Sequence, residues 1–123
     1  MMETGLSYTS KTMVDESNTA IALGSGDMPV FATPAMMALM ENAAMKAVKE
    51  HLPEGSTTVG GHIESSHLKP SPIGAEVEAT ATLDKIDGRK LYFTVVARQG
   101  DNVIGEGKHL RFIVDRERFL SKL

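Results

Sequence analysis

Three polar side chains, Thr33, Glu41 and His67, carry functional groups that suit hydrolytic chemistry. A hydroxyl can attack or orient a reacting group, a carboxylate can accept a proton, and an imidazole can carry one at neutral pH. Each residue also has a simpler explanation. Thr33 stands where a helix N-cap belongs, Glu41 can reach solvent from a helix rim, and His67 can bond to the turn that follows its strand. The residue types alone therefore permit a catalytic site without requiring one.

The segment from residue 34 to about residue 51 predicts the one long helix. Thr33 is the expected N-cap and Pro34 suits the first helical position, with helix-forming residues behind it. Glu41 lies at the edge of the predicted apolar face, where partial desolvation would strengthen its carboxylate as a base. That face comprises Met36, Met37, Met40, Ala44, Ala47 and Val48. The opposite, polar face comprises Asn42, Lys46 and Lys49.

Alternation of apolar and polar residues predicts the strands. Val59, Ile63 and His67 should share one face of the strand that follows the helix. Residues 18–31 read as a small, Gly-rich loop with one short apolar turn, and Phe119 and Leu120 belong to a short terminal helix. The predicted strands are residues 6–14, 57–68, 76–84, 91–97 and 103–114.

These elements predict one α+β domain that spans residues 1–123. A single apolar helix and a curved antiparallel sheet of about five strands bury each other when the sheet wraps around the helix, which is the hot-dog fold. Such a sheet leaves edges exposed, and pairing of two edges across a two-fold axis would cover them. We therefore expect a homodimer, with a tetramer as an open alternative.

The composition excludes several classes of protein. Apolar residues make up 41% and charged residues 24%, as in ordinary globular proteins. No cysteine is present, which excludes disulfides, thiolate zinc sites and thiol nucleophiles and fits the cytoplasm. The net charge of -3, without a basic stripe, argues against nucleic acid, and no apolar run is long enough for a membrane. His62 and Glu64 share a strand face, but two residues do not make a metal site, so we predict no metal.

Two segments carry a resemblance to a known family. Residues 32–41, ATPAMMALME, and residues 66–74, SHLKPSPIG, resemble the fluoroacetyl-CoA thioesterase-like branch of the hot-dog superfamily, and Gly60-Gly61 and residues 107–112 match in kind. The resemblance covers nearly the whole chain. It implies that Thr33, Glu41 and His67 are catalytic, and that the backbone N–H of Gly60 holds the thioester carbonyl.

The resemblance implies an acyl-CoA thioesterase for a short or medium acyl group, with CoA as part of the substrate and no separate cofactor. Residues 20–30 lack the bulky aromatic lid of the fluoroacetate-specific enzyme, and only the adjacent Phe31 is aromatic. The sequence therefore does not identify the acyl group of the substrate. Phe31 is a candidate for binding substrate, and Lys69 and Arg111 are candidates for binding the CoA phosphates. The alternatives are a thioester hydratase or dehydratase, and a non-catalytic module that binds acyl-CoA or another small ligand.

Overall fold

The computed structural model describes residues 2–123. Its long helix, Thr33–Val48, is followed by a short 3-10 turn, Lys49–His51. No helix in the described part of the chain is long and apolar enough to cross a membrane. The strands are β1 (Ser7–Met13), β2 (Ser56–His67), β3 (Glu76–Asp87), β4 (Lys90–Gln99) and β5 (Asn102–Asp115), and the helices are α1 (Ala20–Leu23), α2 (Thr33–Val48) and α3 (Arg116–Ser121).

All five strands form one antiparallel sheet in the order β1-β3-β4-β5-β2. The short connections place β3, β4 and β5 side by side in chain order, whereas β1 and β2 flank them as the two edges. The helix α2 packs against the sheet, mainly against β3 and β1. This is the predicted hot-dog architecture, with each strand within a few residues of its expected position.

The core lies between α2 and the sheet. Met36 and Met40 are fully buried on the helix, as the apolar face predicted. A Cβ on Gly105 would lie 2.6 Å from the sulfur of Met36, so this position of β5 requires glycine for the helix to sit this close. The buried sheet residues opposite the helix alternate along their strands: Val77, Ala79, Ala81 and Leu83 on β3, and Leu91, Phe93, Val95 and Ala97 on β4.

The structure corrects two expected side-chain orientations. Asn42 does not belong to a solvent-facing side, because it is half-buried and accepts a 2.7 Å hydrogen bond from Ser10 on β1. A β-bulge between Gly60 and His62 leaves Gly61 without a partner on β5 and reverses the alternation of β2. Val59 therefore faces away from the side that Ile63 and His67 share. The sheet wraps the helix more fully than a single apolar stripe indicates, and a bulge has no signal in periodicity.

The loop between β1 and α2 is held in place by backbone hydrogen bonds. The amide of Phe31 donates to the carbonyl of Ser71, and the amide of Ala32 donates to the carbonyl of Asn18. The short helix α1 begins at an N-cap, Thr19, whose hydroxyl accepts from the amide of Ala22. The predicted apolar turn in this loop is thus a helical turn, and the loop fixes the start of α2.

We expect Met40→Ala to lower the free energy of unfolding by about 2–5 kcal/mol, because it leaves a cavity where helix and sheet meet. Met28→Ala is the matched control, since the Met28 side chain is 62% exposed in the loop before α2, and it should change stability by less than about 0.5 kcal/mol. Equilibrium unfolding in urea measures both values. Equal effects of the two substitutions would contradict the assignment of this core.

Candidate active site

Thr33 and His67 meet directly in the folded chain. The hydroxyl oxygen of Thr33 lies 2.7 Å from Nδ1 of His67 and forms a hydrogen bond with it. The structure corrects the expected N-cap, because α2 begins at Thr33 itself and Ala32 occupies the cap position without a side-chain bond. The Thr33 hydroxyl therefore has no capping role. Its partner is an imidazole, which is a pairing typical of sites that orient a histidine for proton transfer.

The backbone on both sides holds this pair in register. The amide of Met36 donates to the carbonyl of Ala32 as the first hydrogen bond of α2, and Pro34 follows Thr33 in the first turn. At the other side, the amide of Leu68 donates to the carbonyl of Ile104, which fixes the end of β2 against β5. The hydroxyl and the imidazole are therefore presented by the start of a helix and the end of a strand, two rigid positions.

The pair opens into a cavity of about 290 Å³. Phe31, which is 2% exposed, forms part of its wall, and the loop residue Ser25 and exposed Lys69 also line it. Nε2 of His67 is buried and has no hydrogen-bond partner among residues 2–123. Burial lowers the pKa of His67, and a backbone group of Lys69 opposes this shift only in part. The imidazole is thus neutral at pH 7 and free to bond through Nε2. The remaining lining residues are Ala20, Val30, Leu68 and Pro70.

Glu41 faces a different cavity, of about 300 Å³, which it lines together with Gly60, Gly61, Ile63 and His109. Its side chain is 42% exposed, which agrees with its expected place at the rim of the helix. A Cβ on Gly60 would lie 3.0 Å from Oε2 of Glu41, so the carboxylate rests against the backbone at the bulge. Glu41 and Gly60 therefore form a second cluster, as Thr33 and His67 form the first.

A buried guanidinium group lies beside Glu41, and the sequence analysis did not predict its burial. Arg111 is only 7% exposed, and its Nη1 lies 4.0 Å from Oε2 of Glu41. Its Nε donates to the hydroxyl of Thr58 at 2.8 Å, and its Nη2 donates to the carbonyl of Thr58 at 2.9 Å. Arg111 thus lies inside the fold, whereas Lys69, the other candidate for the CoA phosphates, is exposed at the mouth of the first cavity.

His109 completes this buried group. Its Nδ1 lies 2.7 Å from the carbonyl oxygen of His62, and its Nε2 lies 3.2 Å from Nη1 of Arg111. A carbonyl can only accept and a guanidinium can only donate, so His109 is the neutral tautomer with its proton on Nδ1. Burial is the main cause that lowers the pKa of His109; the hydrogen bond to the backbone of His62 opposes it, and the positive charge of Arg111 adds to the lowering. The only sequence signal for this network is that His109 and Arg111 share a strand face.

The two clusters lie apart within one chain. Eight residues of helix separate Thr33 from Glu41, which corresponds to a rise of about 12 Å. The structure therefore brings together Thr33 with His67, and Glu41 with Gly60, but the two pairs line separate cavities. Phe31 and Lys69 belong to the first of these cavities.

The fold is that of hot-dog thioesterases, and comparison with known proteins gives the family. The model of the fluoroacetyl-CoA-specific thioesterase family matches residues 14–117. The chain belongs to this family, and its class is thioester hydrolase.

The individual relatives agree with this assignment. A fluoroacetyl-CoA thioesterase from Streptantibioticus cattleyicolor is 37% identical over 94 residues, which are 76% of this chain and 68% of the relative. A solved structure of a fluoroacetyl-CoA thioesterase superposes with a TM-score of 0.92 at 32% identity, covering 99% of this chain and 95% of that one. A variant of such an enzyme in complex with fluoroacetate and CoA gives a TM-score of 0.88 at 32% identity, with 96% and 99% covered.

The lowered pKa of His67 predicts a pH dependence of stability. The unfolded chain binds a proton at this imidazole near pH 6.5, whereas the folded chain binds it only at lower pH, so the free energy of unfolding should fall as the pH drops below about 6.5. The substitution His67→Gln removes this contribution, and the slope should become shallower, with the part due to His109 remaining. Urea unfolding between pH 5 and pH 7.5 measures both slopes. Identical slopes for the two proteins would contradict a desolvated His67.

Proposed function

We propose that this protein is a homodimeric acyl-CoA thioesterase that hydrolyses a short- or medium-chain acyl-CoA to the free acid and CoA. The hydrogen bond between Thr33 and His67 carries the proposal, because it ties a hydroxyl without a capping role to a neutral imidazole. Membership in a thioesterase family supports the same reaction. Thr33, Glu41 and His67 are the proposed catalytic residues, and the N–H of Gly60 is the proposed donor to the oxyanion.

The separation of the two clusters supports a site made by two subunits. β2 is an edge strand, and its outer side is open for pairing. In an antiparallel pair of two β2 strands about a two-fold axis, the end of one strand lies beside the first half of the other. His67 ends β2, and Gly60 lies in its first half. The Thr33–His67 pair of one subunit would then approach Glu41 and Gly60 of its partner.

In the proposed reaction, Glu41 accepts a proton from water, and the water oxygen forms a bond to the thioester carbonyl carbon. The negative charge on the carbonyl oxygen is held by the Gly60 N–H at the bulge, where backbone groups are re-aimed. The carbon–sulfur bond then breaks, and the electron pair leaves with the CoA sulfur. His67 carries the proton through Nε2 from Glu41 to that sulfur, while Thr33 holds Nδ1 and so orients the ring.

The cavity beside Thr33 and His67 is the proposed binding site for the acyl group, and its size limits the length of the acyl chain. Its volume of about 290 Å³ suits a small acyl chain rather than a long one, and its wall contains both apolar and polar side chains. Phe31 forms part of the acyl wall, and exposed Lys69 at the mouth is the candidate for a CoA phosphate. The relative in complex with CoA supports CoA as part of the substrate, and the reaction requires no separate cofactor. The cytoplasm, where acyl-CoA is made and used, remains the proposed location.

The first test is the release of free thiol from a panel of acyl-CoA esters of increasing chain length. We expect turnover with short or medium chains, and a loss of at least about a hundredfold in Glu41→Gln and His67→Ala, because each removes a group that handles a proton. His51→Ala, in the exposed turn after α2, is the control and should keep the wild-type rate.

Saturable binding of the acyl-CoA esters without turnover of any of them would overturn this proposal. The protein would then be a module that binds acyl-CoA. Release of thiol at the wild-type rate in Glu41→Gln would leave the reaction class intact but remove Glu41 from the mechanism.

Mixing two inactive variants tests the shared site. When Glu41→Gln and His67→Ala subunits are unfolded and refolded together, a mixed dimer has one site with both native residues and one with neither. With random pairing, about a quarter of the wild-type activity should return. A site contained within one subunit predicts no recovery, because every site then keeps one substitution. Refolding each variant alone is the control.

A further inference from the structure

We infer that Arg111 is a positioning residue for Glu41, and that His109 and Thr58 hold Arg111 in place. This inference rests on the proposed function, since it assigns the group that aims the carboxylate of that site. It differs from the expectation that Arg111 binds a CoA phosphate at the surface. The two roles predict different kinetics, so one set of variants separates them.

The guanidinium is oriented on three sides. Nε and Nη2 both donate to Thr58, to its hydroxyl and to its carbonyl, and Nη1 donates to Nε2 of His109. Nη1 has a second N–H, and Oε2 of Glu41 lies 4.0 Å from Nη1. A planar guanidinium with three of its donors engaged cannot turn away, so its remaining positive edge stays near the carboxylate.

Burial makes this arrangement effective. Thr58 is 5%, His109 2% and Arg111 7% exposed, so solvent screens the guanidinium poorly. The Glu41 carboxylate is the charge that offsets the burial of Arg111, because burial lowers the pKa of Arg111 and Glu41 raises it. A guanidinium that is 7% exposed offers little surface to a phosphate in solvent.

His109 acts through its tautomer. The carbonyl of His62 accepts the Nδ1 proton and so leaves Nε2 as an acceptor for Arg111. An imidazolium at this position would direct a proton at the guanidinium and push it away. The groups that face Arg111 are therefore Glu41 from α2, Thr58 from β2 and His109 from its own strand.

The test is a double-mutant cycle on thioester hydrolysis, with circular dichroism and the melting temperature as checks on folding. We expect Arg111→Met to lower kcat by about ten- to fiftyfold with KM within about twofold, because it disturbs the carboxylate and not substrate binding. In the Glu41→Gln background the same substitution should change the residual kcat by less than about twofold. Arg98→Met, an exposed arginine on β4, is the matched control and should match the wild type.

A second pair of variants keeps the test valid if Arg111→Met does not fold. His109→Gln retains an acceptor toward Arg111 and should keep most of the activity, whereas His109→Leu removes it and should lower kcat by about tenfold. In both pairs of variants, KM should stay within about twofold of the wild-type value, since the substitutions disturb the carboxylate and not substrate binding.

Three results would overturn the inference. One is a folded Arg111→Met with wild-type kcat while Glu41→Gln is inactive. Another is an equal loss in both backgrounds of the cycle. The third is a rise in KM for acyl-CoA that is absent for the acyl-pantetheine ester, which lacks the nucleotide phosphates and would identify Arg111 as a phosphate ligand. If the wild type hydrolyses no thioester, the proposed function itself fails. The wild-type activity is therefore measured before that of any variant.

Discussion

The burial of one face of α2 against the curved sheet is the interaction on which both clusters depend. Met36 and Met40 are fully buried in the core, and they fix the rotation of the helix about its axis. Once that rotation is set, Thr33 must emerge beside the end of β2, and Glu41 must emerge beside its bulge. A tightly packed interior resists the shift of a helix by even a fraction of a turn. The core is therefore what keeps the hydroxyl and the carboxylate in place.

The sequence predicts the fold well because its signals are local and mutually consistent. The apolar periodicity of α2 and the alternation on β3 and β4 each specify an element, and one helix with one antiparallel sheet has few ways to bury both faces. Glu41 at the rim of the helix follows from the same periodicity. The roles of Thr33, Glu41 and His67 did not follow from the residues alone. They came from a resemblance to a family.

Three features could not be predicted from the sequence, each for a physical reason. The N-cap of α2 is Ala32 and not Thr33, because a cap is decided by backbone geometry that residue type only favours. The bulge at Gly60 and Gly61 reverses the alternation of β2 without leaving a signal in hydropathy. The contact of Arg111 with Glu41 joins residues seventy positions apart, and no local pattern records it. All three alter the surroundings of the proposed catalytic residues, where local rules are most often overridden.

The two clusters differ in charge in a way that suits their separation. The first holds an imidazole that burial keeps neutral, and the second holds a carboxylate beside a buried guanidinium. In the proposed dimer, the fold of each chain orients one of the two groups independently: Thr33 holds the His67 ring, and the backbone at the bulge supports Glu41. The proton path from Glu41 to His67 then exists only where two subunits meet around a thioester, so that assembly and catalysis depend on the same edge strand.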